Sequence, residues 1–127
     1  LLEGGDDEVS APNTALNVTL DGGVGNDTLN YRVTGAAITT RIVTGAGNDV
    51  VNVAAASGAT FIDTGAGTDR VTGSARAETV AFGPGNDNVD AAGGVDTLLV
   101  RAGAPALTIS FGVAAGADQV SGAGVYR

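Results

Sequence analysis

The chain has 127 residues, a net charge of −8, 21 glycines, and neither cysteine nor histidine. An acidic balance with only six basic residues, all Arg, excludes nucleic acid and anionic membrane as natural partners and suits a soluble cation. The missing Cys and His remove disulfides, thiolate metal sites and imidazole chemistry, and no apolar run nears the roughly 20 residues that span a bilayer.

In chain order, the first turn signal is Gly4-Gly5-Asp6-Asp7, followed by Val9. Leu16-Asn17-Val18-Thr19-Leu20 alternates apolar and polar residues, the period of a strand with one buried face. The segment Asp21-Gly22-Gly23-Val24-Gly25-Asn26-Asp27 then turns the chain into Leu29. After the acid-free turn Thr34-Gly35-Ala36-Ala37, the strand pattern returns as Ile38-Thr39-Thr40-Arg41-Ile42. Gly45-Ala46-Gly47-Asn48-Asp49 leads into Val51, and the acid-free turn Ala56-Ser57-Gly58-Ala59 follows. Gly65-Ala66-Gly67-Thr68-Asp69 leads into Val71. From there the other turns also carry acids: Gly73-Ser74-Ala75-Arg76-Ala77-Glu78 before Val80, and Gly93-Gly94-Val95-Asp96 before Leu98. Between them lies Gly83-Pro84-Gly85-Asn86-Asp87 before Val89. Pro105 and the long step from Asp96 to Asp118/Val120 point to a looser C-terminal coil.

Eight times along the chain an acidic residue is thus followed two positions later by Val or Leu. Asp7, Asp27, Asp49, Asp69 and Asp87 stand 20, 22, 20 and 18 residues apart, and Asp69, Glu78, Asp87 and Asp96 stand nine apart. A fixed period of this size predicts a solenoid. One apolar ladder is Val9, Leu29, Val51, Val71 and Val89. A second lies seven residues before the acid: Leu20, Ile42, Ile62, Val80 and Phe111. Equal polarity and length of the repeats predict parallel stacking about 4.8 Å apart. Thr, Asn and Arg are expected to face out. The fold class is therefore an all-β parallel β-solenoid of about six coils of 18–22 residues, in one unit spanning 1–127. Its first residue is Leu and it shows no end caps, so the chain reads as excised from a larger repeat protein.

Stacked loops place Asp7, Asp27, Asp49, Asp69 and Asp87 in a file. Neighbouring carboxylates about 4.8 Å apart repel by roughly 3–4 kcal/mol at an effective dielectric near 20. Such a file needs a counter-ion, and oxygen donors without nitrogen or sulfur point to Ca²⁺ rather than a transition metal. Mg²⁺ demands tighter octahedral geometry. Glycine at alternate positions lets several loop carbonyls turn inward toward such an ion. Gly-Asn-Asp also makes ordinary turns, which is the competing explanation for any single loop.

Asp21 to Asn30 resembles the RTX nonapeptide, Gly-Gly-x-Gly-x-Asp-x-apolar-x, and the loops ending at Asp49, Asp69 and Asp87 resemble it with Thr or Phe in place of the first Gly. The resemblance covers residues 4–120. It implies a right-handed parallel β-roll with several calcium ions between coils, secreted or displayed on a bacterial surface. The candidate ligands are the carbonyls of Gly23, Gly25, Gly45, Gly47, Gly65, Gly67, Gly83 and Gly85 and the carboxylates of Asp7, Asp27, Asp49, Asp69, Glu78, Asp87 and Asp96. The family's coil is 18 residues, whereas the early coils here are 20 and 22 and their second turns lack acids.

The functional expectation is a calcium-stabilised extracellular structural or adhesive module, from an adhesin, surface-layer or filament protein. End-to-end self-association or continuation into further repeats would cover its strand edges. A calcium-dependent ice- or glycan-binding module is the alternative. The Asn row Asn26, Asn48 and Asn86 supports it, while Val24, Ala46, Ala66 and Pro84 stand where a Thr row would. An accessory or secretion region of a secreted enzyme is a third reading. Catalysis within the chain is not expected, since no His or Lys accompanies the carboxylates. Asp21 and Asp63 read as solvated residues beside the loops, the dispersed Arg as partners of nearby acids, and the few aromatics as plugs between coils.

Overall fold

The computed structural model describes residues 2–9, 18–32, 39–54 and 58–101, and the backbone of 10–12, 106–110, 114–115 and 119–122. Leu16, Asn17, the Thr34–Ala37 turn, Ile38, Ala56, Ser57, Pro105, Phe111, Asp118 and Tyr126 lie outside the described residues, as do the expectations resting on them. Every regular element described is a strand. In chain order these are β1 (Glu8–Pro12), β2 (Val18–Val24), β3 (Thr28–Arg32), β4 (Thr40–Ala46), β5 (Val50–Asn52), β6 (Thr60–Asp63) and β7 (Arg70–Thr72). They continue as β8 (Glu78–Phe82), β9 (Asn86–Asp90), β10 (Gly93–Gly94), β11 (Thr97–Val100), β12 (Ala106–Ser110), β13 (Ala114–Ala115) and β14 (Gln119–Gly122). No helix long and apolar enough to cross a membrane occurs among the described residues.

The strands form two six-stranded parallel sheets, β1-β3-β5-β7-β9-β12 and β2-β4-β6-β8-β11-β14, with a small β10-β13 pair beside them. Successive strands of the chain alternate between the two large sheets, which is the parallel β-solenoid that the periodicity predicts. Four coils, β2–β3, β4–β5, β6–β7 and β8–β9, run unbroken through their acidic turn, against about six expected. The strands β1, β11, β12 and β14 extend the same stacks.

Register follows the acid intervals. In the first sheet Val9 pairs with Leu29, Leu29 with Val51, Val51 with Val71 and Val71 with Val89. In the second, Leu20 pairs with Ile42, Ile42 with Ile62, Ile62 with Val80 and Val80 with Leu98. Leu98 thus holds the rung beyond Val80. These two ladders face each other, and from Leu29 and Ile42 onward they are fully buried, while Val9 and Leu20 at the N-terminal end are partly buried. Tyr31 and Phe82 are buried in the same core. The expectation that Thr faces out needs correction. Thr40, Thr44, Thr60 and Thr64 are all buried, because each shares the inward parity of Ile42 or Ile62 on its strand.

Asp63 is also corrected. It is buried and takes a two-pronged ion pair from Arg101, with both Nη–Oδ distances 2.7 Å. Ala81, which pairs with Asp63, is small enough for Arg101 to cross it. The planar guanidinium matches a carboxylate in this geometry. On the same sheet Arg41 stacks over its register partner Phe61, 4.9 Å from the ring centre.

Two substitutions of opposite sign test this backbone. Ala92 has φ +62°, a left-handed conformation costing a non-glycine residue roughly 1–2 kcal/mol, part of which glycine's extra unfolded-state freedom cancels. Ala92→Gly should therefore raise stability by about 0.5–1 kcal/mol in urea melts. Gly45 has φ +103°, and a Cβ there would collide with the Gly23 carbonyl of the preceding coil. Gly45→Ala should cost about 2–3 kcal/mol in the same melts. Neutral outcomes would show that the turns are built differently.

Candidate functional site

The edge leading from the second sheet into the first is the acidic one. Each turn there must reverse the chain between two stacked strands, and glycine makes the close stacking feasible. A Cβ on Gly47 or Gly67 would fall on the carbonyl of the equivalent glycine one coil earlier. The same contact repeats along Gly5, Gly25, Gly47, Gly67 and Gly85, and along Gly23, Gly45, Gly65 and Gly83. These carbonyls are therefore aimed along the stack at the next coil. The Gly45 carbonyl also accepts from the Ala66 amide at 2.9 Å.

The aspartates of these turns point inward. Asp27, Asp49, Asp69 and Asp87 are only 1–2% exposed, whereas Asp7 on the first rung is half-buried. Each inward carboxylate accepts a hydrogen bond from the backbone N–H of its counterpart in the preceding coil. The Asp7 amide donates to Asp27 Oδ1 at 3.0 Å, Asp27 to Asp49 at 2.8 Å, Asp49 to Asp69 at 2.9 Å and Asp69 to Asp87 at 3.0 Å. One residue earlier an outer ladder runs the opposite way. The Asn26 amide donates to Asp6, Asn48 to Asn26 and Thr68 to Asn48, each at 2.8 Å. Asn26 and Asn48 of the exposed Asn row are thus tied up through their carbonyl oxygens in holding coils together.

The second carboxylate oxygen differs from the first. Oδ2 of Asp27, Asp49, Asp69 and Asp87 is buried and has no hydrogen-bond partner. A buried acceptor left unpaired costs free energy, and a buried charge costs more. Burial accordingly raises Asp69 to about 6, helped by the charges of Asp87 and Asp49 and opposed by its bond from the Asp49 amide. Asp27 is raised by burial and by Asp49, Asp7 and Asp6, and Asp87 by burial.

Around these oxygens the interior is polar. Asp27 Oδ2 leans over the bare Cα of Gly22, and a Cβ there would also lie 2.6 Å from the Thr44 carbonyl. One coil on, the Thr44 hydroxyl donates to the Thr64 carbonyl at 2.6 Å. Thr64 lies close enough to Asp69 to lower its pKa, while its hydroxyl reaches the Ala81 carbonyl at 3.4 Å. Phe82 closes the row. Carboxylate, carbonyl and hydroxyl oxygens are the donors a hard cation takes, so the chemistry of this edge fits Ca²⁺. Each coil contributes one carboxylate, and no cluster of three or more acids able to hold a metal occurs among the described residues.

Glu78 and Asp96 stand apart, on the opposite edge. They continue a column that runs through Val18, Thr40 and Thr60. Glu78 is buried, and its two carboxylate oxygens accept from the Ser74 hydroxyl and, at 3.0 Å, the Ser74 amide. Its own amide donates to Asp96 Oδ1 at 2.8 Å. The nine-residue step already sets Glu78 and Asp96 on the second series of turns, and the register bears that out. Sequence reading missed Thr44 and Thr64, whose signal was a Thr five residues before the acid in two consecutive coils. Ser74, four before Glu78, carried no repeating signal.

Compared with protein-family models, curated proteins and solved structures, the chain matches none. The site must be judged on its own geometry.

Replacing Asp49 by Asn keeps an oxygen for the Asp27 amide but removes a buried charge between two others. In chelator, Asp49→Asn should therefore raise the melting temperature by a few degrees, whereas Asp49→Ala should lower it through loss of the acceptor. An Asp49→Asn melting point no higher than the parent's would show that the carboxylate file carries no electrostatic penalty.

Proposed function

We propose that this chain is a calcium-stabilised structural segment of an extracellular or cell-surface protein, adhesive or scaffolding in role. The observation that supports it best is the file of four buried aspartates, each with one oxygen bonded to the neighbouring coil and the other unpartnered. Asp27, Asp49, Asp69 and Asp87 would hold the ions through Oδ2, with interior carbonyls and the Thr44 and Thr64 hydroxyls nearby as further oxygen donors. Calcium supplies positive charge inside the edge. The chain supplies ligands that repel one another without it.

Binding to the folded form alone adds RT ln(1 + [L]/Kd), about 2.7 kcal/mol per site at a hundredfold excess over Kd. Ion binding then acts as folding energy, and the stack is sturdy only where calcium is plentiful. That favours a location outside the cell, where modules binding at about 10⁻⁴–10⁻³ M are filled. The inward acids are also poorly placed for catalysis, being buried and out of reach of a substrate.

A glycan- or ice-binding face is the second reading. It draws on the outward side of the first sheet, where Asn30, Asn52, Thr72 and Asp90 pair in register. It ranks lower because Arg70 and Asp90 break the uniformity such a face needs.

Thermal melts and circular dichroism in millimolar calcium, magnesium and EDTA test the first reading. Calcium should raise the melting temperature by ten degrees or more over EDTA, with magnesium well behind. Asp49→Asn should lose much of that gain while being the more stable protein in EDTA. An unchanged β spectrum and melting point after EDTA dialysis would overturn the proposal.

A further inference from the structure

The four inward aspartates share one backbone arrangement but not one set of neighbours. The position five residues before each acid faces the same interior. In register along the stack it holds Gly22, Thr44, Thr64 and Phe82, and Val100 follows.

At the first of these rungs a glycine leaves a cradle. A Cβ on Gly22 would collide with both Asp27 Oδ2 and the Thr44 carbonyl oxygen of the next coil. Gly22 is not among the glycines with a left-handed backbone. Its missing side chain therefore serves space rather than conformation, and two buried oxygens from adjacent coils converge there.

The next two rungs place hydroxyls. The Thr44 hydroxyl donates to the Thr64 carbonyl at 2.6 Å, and the Thr64 hydroxyl reaches the Ala81 carbonyl at 3.4 Å. A hydroxyl that donates to a carbonyl keeps its lone pairs for a cation. Both threonines are fully buried. Each stands on the inward side of its coil, five residues before an aspartate whose Oδ2 is buried without a hydrogen-bond partner.

The fourth rung is apolar. Phe82 is fully buried, and Val100 beyond it is buried as well. On the acid column itself Leu107 pairs in register with Asp87, so no further carboxylate continues the file. Asp27, Asp49 and Asp69 each have an acid one coil away on both sides, whereas Asp87 has Asp69 alone. Its Oδ2 is as buried and unpartnered as the others, but its rung supplies neither a cradle nor a hydroxyl.

We propose that the four sites are unequal: calcium binds tightly at Asp27, Asp49 and Asp69 and most weakly at Asp87, where Phe82 ends the ion file. The inference rests on the calcium reading above and adds the residues that grade it. Gly22 supplies room, Thr44 and Thr64 supply neutral oxygens, and Phe82 supplies none. Ligand charge and number set calcium affinity, and both fall at Asp87. In a partly loaded stack the coils from β2 to β7 are filled before that of β8 and β9.

Calorimetric titration of calcium into the calcium-free chain tests the grading, with Asp27→Asn and Asp87→Asn compared. Each variant keeps the Oδ1 acceptor for the amide one coil earlier. Asp27→Asn should lose one tight equivalent or weaken the tight phase about tenfold. Asp87→Asn should do neither, and should keep most of the calcium-induced rise in melting temperature. Gly22→Ala, whose Cβ fills the cradle while Asp27 stays intact, should match Asp27→Asn. Full tight binding by Gly22→Ala would overturn the proposal, and the Asn pair decides alone if that variant does not fold. A parent that binds no calcium would sink the calcium reading and the grading together. A calcium-binding parent in which Asp87→Asn loses as much as Asp27→Asn would sink the grading alone.

Discussion

The hydrogen bond from each aspartate amide to the carboxylate one coil later is the interaction on which the stack turns. It ties neighbouring coils at a fixed register and requires the side chain to point inward. Pointing inward buries the charge. Asp27, Asp49, Asp69 and Asp87 therefore stabilise the fold through one oxygen and penalise it through the other. A carboxylate hydrogen bond of this kind is worth roughly 1.5–3 kcal/mol, and the desolvation of a carboxylate is of the same order or larger. Neither sign dominates, so the net stability of the edge is open to whatever neutralises the second oxygen. A ligand can control folding only where the unliganded balance is this close.

The two ladders on that edge divide the labour. The outer one uses neutral amide oxygens of Asn26 and Asn48, stays in solvent, and reaches toward the C-terminal neighbour. The inner one uses charged oxygens, is buried, and reaches toward the N-terminal neighbour. An exposed neutral bond is worth little and responds little to conditions. A buried charged one is strong and depends on pH and ions. The outer ladder can hold register while the inner one is being neutralised.

Much of this was legible from sequence because side-chain parity in a strand is rigid. Once Leu29, Val51, Val71 and Val89 were aligned, sheet membership, parallel pairing and the inward direction of the acids two residues earlier all followed. What was not legible depends on which coils touch. Nothing local marks Asp63 and Arg101, 38 residues apart, as partners across the small Ala81. Thr44 and Thr64 were read as outward because Thr is usually solvated, yet their parity with Ile42 and Ile62 argued the reverse. Glu78 and Asp96 were legible as acids of the second edge, because a nine-residue half-step places them midway between the acids of the first, but nothing local marked Ser74 as the partner of Glu78. The direction of the glycine carbonyls depends on peptide-plane orientation, which glycine leaves least constrained by residue type.

Coil lengths show which edge constrains the other. From Leu20 to Asp27, Ile42 to Asp49, Ile62 to Asp69 and Val80 to Asp87 the distance is always seven residues. All variation lies on the far side: Leu29 to Ile42 is 13 residues, Val51 to Ile62 is 11, and Val71 to Val80 and Val89 to Leu98 are nine each. The first edge cannot vary, because an inserted residue would break the glycine contacts and both ladders at once. The second edge is free while its column holds Thr40 and Thr60, whose hydroxyls find partners at hand in Tyr31 and Gly58. It becomes fixed at nine residues where Glu78 enters that column, since a buried carboxyl must meet Ser74 and Asp96 in register. Acid in the inward position and a fixed turn length therefore arise together on both edges. In this solenoid, uniform spacing is a consequence of burying carboxyl groups between coils.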